Sequence, residues 1–156
     1  MDKRRGYTLI ELLVTLAVAA ILLTIGVPAS QAFIAKNRLA VASNQFLLST
    51  LLARSEAGKR QVDVSLISAN GKDWSTGWRV GVDANGDGDL ADAGDQILRV
   101  YPALRGGVSL RSASAGAIVF SATGWATPAS TLTASLNGKS RTIQVLASGR
   151  VTVTKP

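Results

Sequence analysis

The chain has no cysteine and no histidine among its 156 residues. Without cysteine, the fold must hold together by packing alone, with no disulfide to close a loop. Without histidine, the commonest general base and the commonest zinc ligand are both missing. Ser-His-Asp and Cys-His catalysis are thereby excluded, and a conventional zinc site nearly so. No convincing catalytic carboxylate pair stands out either, so no enzymatic activity is expected. Carboxylates are also missing from one whole stretch. Asp95 is the last acidic residue, and residues 96–156 carry Arg99, Arg105, Arg111, Lys139, Arg141, Arg150 and Lys155 with no acid to balance them. The formal net charge is +7. Such a basic run reads either as a solvated surface that maintains solubility or as a face for a polyanion, with nucleic acid the first candidate.

What the chain has in excess is apolar sequence at one end. Apolar residues make up 47% of the whole, but residues 9–28 are almost continuously apolar. About 20 such residues at 1.5 Å each cross a hydrocarbon core of ~30 Å, so this is a membrane-spanning segment. Lys3, Arg4 and Arg5 precede it. The positive-inside rule keeps that end in the cytoplasm and exports everything after the run. Two readings compete: a plain signal anchor, which does not explain a lone carboxylate in the run, and a cleavable secretory signal, since Ala17-Val18-Ala19 is loosely of the A-x-A type. Glu11 inside the run and the continuation of the run past that site argue against it.

The succession Lys3-Arg4-Arg5-Gly6 and Tyr7-Thr8-Leu9-Ile10-Glu11-Leu12 resembles the leader of type IV prepilins. The resemblance implies that a membrane peptidase cuts between Gly6 and Tyr7 and methylates the new N-terminus at Tyr7. Tyr7 stands where the family usually has Phe, and the aromatic ring is kept. Physics gives Glu11 a role of its own: an ionisable group in a membrane segment is costly and marks function by default. The amine of a neighbouring subunit's cleaved N-terminus would neutralise it and set the axial register of assembly. The alternative is that Glu11, about one turn from the helix start, only reaches the headgroups. The implied partners are other pilins or pseudopilins, the prepilin peptidase and an inner-membrane assembly platform.

Beyond the membrane segment, Gly26-Val27-Pro28 predicts a helix break, because a proline removes a backbone bond and usually kinks a helix. Ser30 to about Ala57 then reads as an amphipathic helix. Its apolar stripe is Ala35, Leu39, Ala42, Phe46 and Ala53, with one wide gap, and Gly58 is the expected C-cap. Four segments follow: leader 1–6, membrane and assembly helix 7–29, amphipathic helix 30–58, and a β-rich domain 59–156. In the last, strands are predicted at 61–68, 78–83, 97–101, 108–111, 118–121, 132–136, 142–146 and 150–154. Asn70-Gly71, Gly106-Gly107, Thr127-Pro128, Asn137-Gly138 and Ser148-Gly149 supply the turns, and Asn137-Gly138 is a hairpin signal. The fold class is α+β, a long N-terminal helix packed on a mostly antiparallel β domain.

Leu52-Ala53-Arg54-Ser55-Glu56-Ala57, Gly77-Trp78, Asp83-Ala84-Asn85-Gly86-Asp87 and Ser148-Gly149-Arg150-Val151 resemble the GspH/FimT group of minor pseudopilins and pilins. The resemblance implies a structural subunit of a type II secretion pseudopilus or a type IV pilus, at or near the filament tip. Some members of the group carry a cysteine pair that this chain lacks. Two further sites come into view. Asp83, Asn85, Asp87 and Asp89 follow the first half of an EF-hand calcium loop, but position twelve is Gly94, so a polar turn built on Asx side chains is the other reading. Gly149-Arg150-Val151-Thr152 resembles the Gly-Arg-x-Arg motif by which transformation-linked members bind DNA. Thr152 replaces the second arginine, and Arg141 and Lys155 could compensate only from the same face.

Overall fold

The structure, a computed structural model, describes residues 8–114 and 116–154. Gly6, Tyr7 and Lys155 lie outside the described residues. The chain divides into two compact units, Met1–Ala35 and Lys36–Pro156. Helix α1 runs from Leu9 to Arg60 and includes Pro28, so the expected break does not occur. A proline costs only the one N–H that would have met the carbonyl four residues earlier, and apolar flanking sequence lets the helix continue through it. In the first unit the apolar side chains from Leu9 to Val27 are exposed. The most apolar 18-residue window of α1 has a mean hydropathy of 2.5 and is wholly exposed, as a lipid-facing segment must be.

From Lys36 onward α1 becomes a packing element. The stripe Leu39, Ala42, Phe46 and Ala53 is buried as the spacing requires, and it extends to Ala57. The gap between Phe46 and Ala53 is filled by Ser49 and Thr50, both fully buried. Their hydroxyls donate to the Phe46 and Leu47 carbonyls at 2.7 Å, which removes the penalty of burying them. The helix passes Gly58 and ends two residues later. Gln61 takes the left-handed conformation (φ 57°) and its amide donates to the Gly58 carbonyl at 2.6 Å. Lys59 and Arg60, favoured at a helix C-terminus, both pair with Glu56.

Among the described residues nine strands follow, paired antiparallel in one sheet. They are β1 (Val64–Asn70), β2 (Asp73–Val82), β3 (Gln96–Pro102), β4 (Ser109–Ser112), β5 (Ala117–Phe120), β6 (Ala126–Thr127), β7 (Ser130–Leu136), β8 (Lys139–Val145) and β9 (Val151–Thr154). The spatial order is β6-β5-β1-β2-β4-β7-β8-β9, with β3 beside β2. The Asn137-Gly138 hairpin forms as expected, with Leu136 opposite Lys139. All eight expected strands form with shifted ends, the largest shifts being at β1, which starts at Val64 rather than 61, at β8, which starts at Lys139 rather than 142, and at β2. β2 begins at Asp73, five residues before Trp78, and β6 is an additional two-residue strand.

The core lies between the α1 stripe and one face of this sheet. Phe46 stands edge-on to Trp74 and Trp78, at 5.2 and 5.7 Å between ring centres, and Trp78 stacks on Tyr101 at 5.2 Å. Edge-to-face and offset contacts of this kind add to the area the rings bury. Replacing Phe46 by Ala should therefore lower stability by about 3–5 kcal/mol, measured by urea unfolding followed through tryptophan emission. Leu48→Ala, on the exposed side of the same helix, should stay within about 0.5 kcal/mol of wild type.

Candidate functional site

At the start of α1, Thr8 acts as the N-cap: its hydroxyl accepts the Glu11 backbone N–H at 3.3 Å. Thr8-x-x-Glu11 is thus the spacing of a capping box, and a carboxylate in the first turn is favoured by the helix dipole. Glu11 itself is exposed. The side chain is therefore presented outward at the end of an apolar segment, where a neighbour's charge can reach it.

Near the other end of the chain, two of the quoted motifs converge, Leu52–Ala57 and Ser148–Val151. Arg54 of α1 donates to the Gly149 carbonyl at 3.4 Å. Its guanidinium also lies about 3.0 Å from the position a Cβ would take at Gly124 and 3.3 Å from that at Gly149. Gly149 has φ 73°, and a Cβ there would collide with the Gly124 carbonyl oxygen. Only glycine meets both demands. The Ala126 N–H donates to the Ala147 carbonyl at 2.8 Å, so the 121–126 turn and the 146–150 turn are fastened together and to the helix. Arg38 does the same job a few turns earlier, donating to the Gly106 carbonyl at 3.1 Å. Sequence reasoning noted Arg54 only as part of a motif, and Trp125 not at all. Trp125 sits on the fastened 121–126 turn with 60% of its surface exposed.

Arg150 is exposed on the 146–150 turn, and its carbonyl accepts the Leu146 N–H at 2.9 Å. Arg141 lies on β8, whose core-facing residues are Ile143 and Val145. Alternation along a strand puts Arg141 on that same face, whereas Gln144, opposite Thr152, is on the other. Arg150 belongs to the turn beyond the Val145 end of β8, whereas Arg141 lies near the Lys139 end, about 17 Å back along the strand at ~3.4 Å per residue. The structure does not bring these two arginines together.

The acidic loop connects β2 to β3. Its carboxylates are turned onto its own main chain. Asp83 accepts the Gly86 and Gly88 N–H groups at 2.7 and 2.9 Å, and Asp95 accepts those of Ala84 and Asp92 at 3.0 and 2.9 Å. This is the Asx-turn arrangement. Carboxylate oxygens of Asp87, Asp89 and Asp92 lie within 4.8 Å of one another. Two of the four expected ligand positions are thus grouped with Asp92, whereas Asp83 and Asn85 bond within the loop. The Asp89 N–H and the Asn85 amide hold the Asp87 carboxyl below the usual carboxylate range. The Asn85 amide also pulls Asp92 down, but the Asp87 carboxylate beside it outweighs that and leaves Asp92 raised.

A membrane-length exposed helix with a capped acidic first turn, continuing onto a single antiparallel sheet, defines a pilin-like α+β protein. A family model described as Type II transport protein GspH matches residues 42–149, and one described as the prokaryotic N-terminal methylation motif matches residues 1–27. The chain belongs to the GspH family. Membership implies assembly with other pilins, and the apolar N-terminal helix fits anchoring in the inner membrane. The chain is similar to the type IV minor pilin FimU of Pseudomonas aeruginosa, with a TM-score of 0.67 and 26% identity over 76% of this chain and 90% of that one. The minor pseudopilin EpsH of the type 2 secretion system of Vibrio cholerae shares the fold, with a TM-score of 0.57 and 15% identity over 76% and 98% of the two chains. Prepilin peptidase-dependent protein D of Escherichia coli is 54% identical over 39 residues, which are 25% of this chain and 27% of that protein's length.

The two turns separate structural from surface roles at adjacent residues. Gly149→Ala should cost roughly 1–3 kcal/mol through backbone strain, whereas Arg150→Ala, on an exposed side chain, should stay within about 0.5 kcal/mol. Thermal unfolding of both variants checks the contrast.

Proposed function

We propose that the chain is a minor pilin or pseudopilin that enters the inner membrane through α1 and is then built into a filament at or near its tip. The observation that carries this reading is the exposed apolar window of α1 on a GspH domain. Such a surface needs lipid before assembly and neighbouring apolar helices afterwards. On this reading the prepilin peptidase cuts between Gly6 and Tyr7 and methylates Tyr7. The basic leader stays cytoplasmic, the sheet unit is periplasmic, and an inner-membrane assembly platform receives the processed subunit. Glu11 pairs with the amine of a neighbouring subunit. The chain carries no catalytic function of its own.

Because Glu11 also belongs to a capping box, charge and capping must be separated. Glu11→Gln keeps a capping side chain and removes the charge. It should be processed like wild type but co-purify poorly with its filament partners, whereas Gly6→Ala should retain the leader. Normal co-purification of Glu11→Gln would remove the pairing role, and a processed Gly6→Ala product would remove the prepilin reading.

A second reading, DNA capture for uptake, is favoured by the placement of Arg150 beside the exposed Trp125 turn. A cation meets the phosphate there while an aromatic face is open to a base. Arg141 lies toward the far end of β8 from that place, so Arg150 carries the reading. DNA should bind the full chain in detergent at low salt, weaken steeply as salt rises, and weaken further in Arg150→Ala. Absence of binding at low salt would leave the basic run as solvated surface.

A further inference from the structure

The face where α1 runs beside β3 is the part of the sheet unit that the core leaves unused. Val41 and Leu48, two turns apart on α1, are 66% and 61% exposed, and Val100 on β3 is 59% exposed. They border two adjoining hollows of about 400 and 630 Å³ that have Val41, Gln45 and Pro102 in common. The charged side chains lining these hollows are Arg38, Arg99 and Arg105, and no carboxylate lines either. Two of the three arginines are held in place: Arg38 by the Gly106 carbonyl, and Arg99 over the Tyr101 ring at 5.3 Å from its centre. β3 pairs with β2 along one edge, and among the described residues no strand pairs with the other. An open edge presents unpaired N–H and C=O groups to any extended chain that can lie beside it.

We propose that this groove takes an extended acidic segment of a neighbouring polypeptide, added as a further strand to the free edge of β3. Main-chain bonds to β3 hold the segment. Its carboxylates turn toward α1, where Arg99 stands over the Tyr101 ring and Arg38 and Arg105 line the hollows with Val41 and Leu48, and its alternate apolar side chains turn to the other face of the sheet and rest on Val100. A second copy of this chain is a poor occupant. Among its own strands only β2 carries a carboxylate, Asp73, and that group lies 3.9 Å from Arg111. The carboxylates of the β2–β3 loop are largely taken up by the loop's own amides. Nucleic acid is also a poor fit, because the floor is aliphatic and Tyr101 is buried, so no open ring is available for stacking. The inference rests on the filament-subunit reading only in taking a neighbouring subunit as the source of the segment.

The test uses the full chain in detergent micelles and a fluorescein-labelled synthetic peptide of alternating Val and Glu, read by anisotropy. One control peptide has Lys in place of Glu, and another has Pro at its centre. The Val-Glu peptide should bind, and both controls should bind at least about tenfold more weakly. Val41→Asp and Arg99→Glu, both on exposed positions and checked for folding by circular dichroism, should each weaken binding of the Val-Glu peptide by a similar factor. Amide exchange over residues 96–105 should slow when the peptide is bound. The proposal is overturned if that peptide does not bind, if either control binds as well, or if both folded variants bind it like wild type. Displacement of the peptide by a DNA oligonucleotide, or dimerisation of the chain that Val41→Asp abolishes, would also overturn it. None of these outcomes bears on Glu11→Gln co-purification, so this inference and the filament reading can fail separately.

Discussion

The sheet unit depends on a narrow line of contact, in which one stripe of α1 is pressed against nine strands with Phe46 at its centre. Leu39 and Phe46 are the large residues of that stripe and the rest are Ala, Ser or Thr, so the helix backbone comes close to the sheet and the rings of Phe46, Trp74, Trp78 and Tyr101 fill the space in edge-on and stacked contacts. With no cysteine to constrain the unfolded chain, this packing must outweigh the whole cost of ordering the domain. The buried hydroxyls of Ser43, Ser49 and Thr50 do not weaken it. Each donates to a carbonyl three or four residues earlier in the same helix and so arrives in the core already satisfied.

Two arginines extend that contact beyond the apolar stripe. Arg38 and Arg54 sit on the helix and reach carbonyl groups of turns whose glycines, Gly106 and Gly149, leave room for the guanidinium. The helix therefore fixes not only the middle of the sheet but also loops at two distant places in the sequence. One of those places carries Arg150 and Trp125, and the other borders the groove beside β3. In this protein two structural arginines set where these exposed turns stand.

Much of this was legible in the sequence, and the reasons differ by element. Residues 9–28 could be assigned because a lipid-facing helix tolerates little besides apolar side chains. Strands such as Ser130–Leu136 and Lys139–Val145 showed the alternation that burial of one sheet face imposes, and Asn137-Gly138 between them has the turn chemistry a two-residue loop demands. Other features misled. Pro28 signals a break, but the loss of a single hydrogen bond does not end a helix in strongly apolar surroundings. Gly58 signals a cap, yet Gln61 supplies both the left-handed turn and the capping amide. The Asp83–Asp89 spacing points both ways, being shared by a calcium loop and by successive Asx turns, because both place oxygen atoms at alternate residues.

From the sequence alone came the class of protein, its apolar N-terminal helix and the pairing of a helix with a β layer, since these follow from periodicity and composition along the chain. Which residues stand together was decided by the tertiary structure. Arg54, Gly124 and Gly149 meet although 95 positions separate Arg54 from Gly149, and no local pattern encodes that contact. Arg141 and Arg150 look like members of one basic cluster when read in order, yet they stand toward opposite ends of β8. The groove beside β3 exists only because β2 is long enough to pair with β3 and β4 along one edge, leaving β3 with a free side next to α1. The physical reason is common to all three. Local chemistry chooses each element, but long-range pairing chooses its neighbours, and a binding surface is made of neighbours.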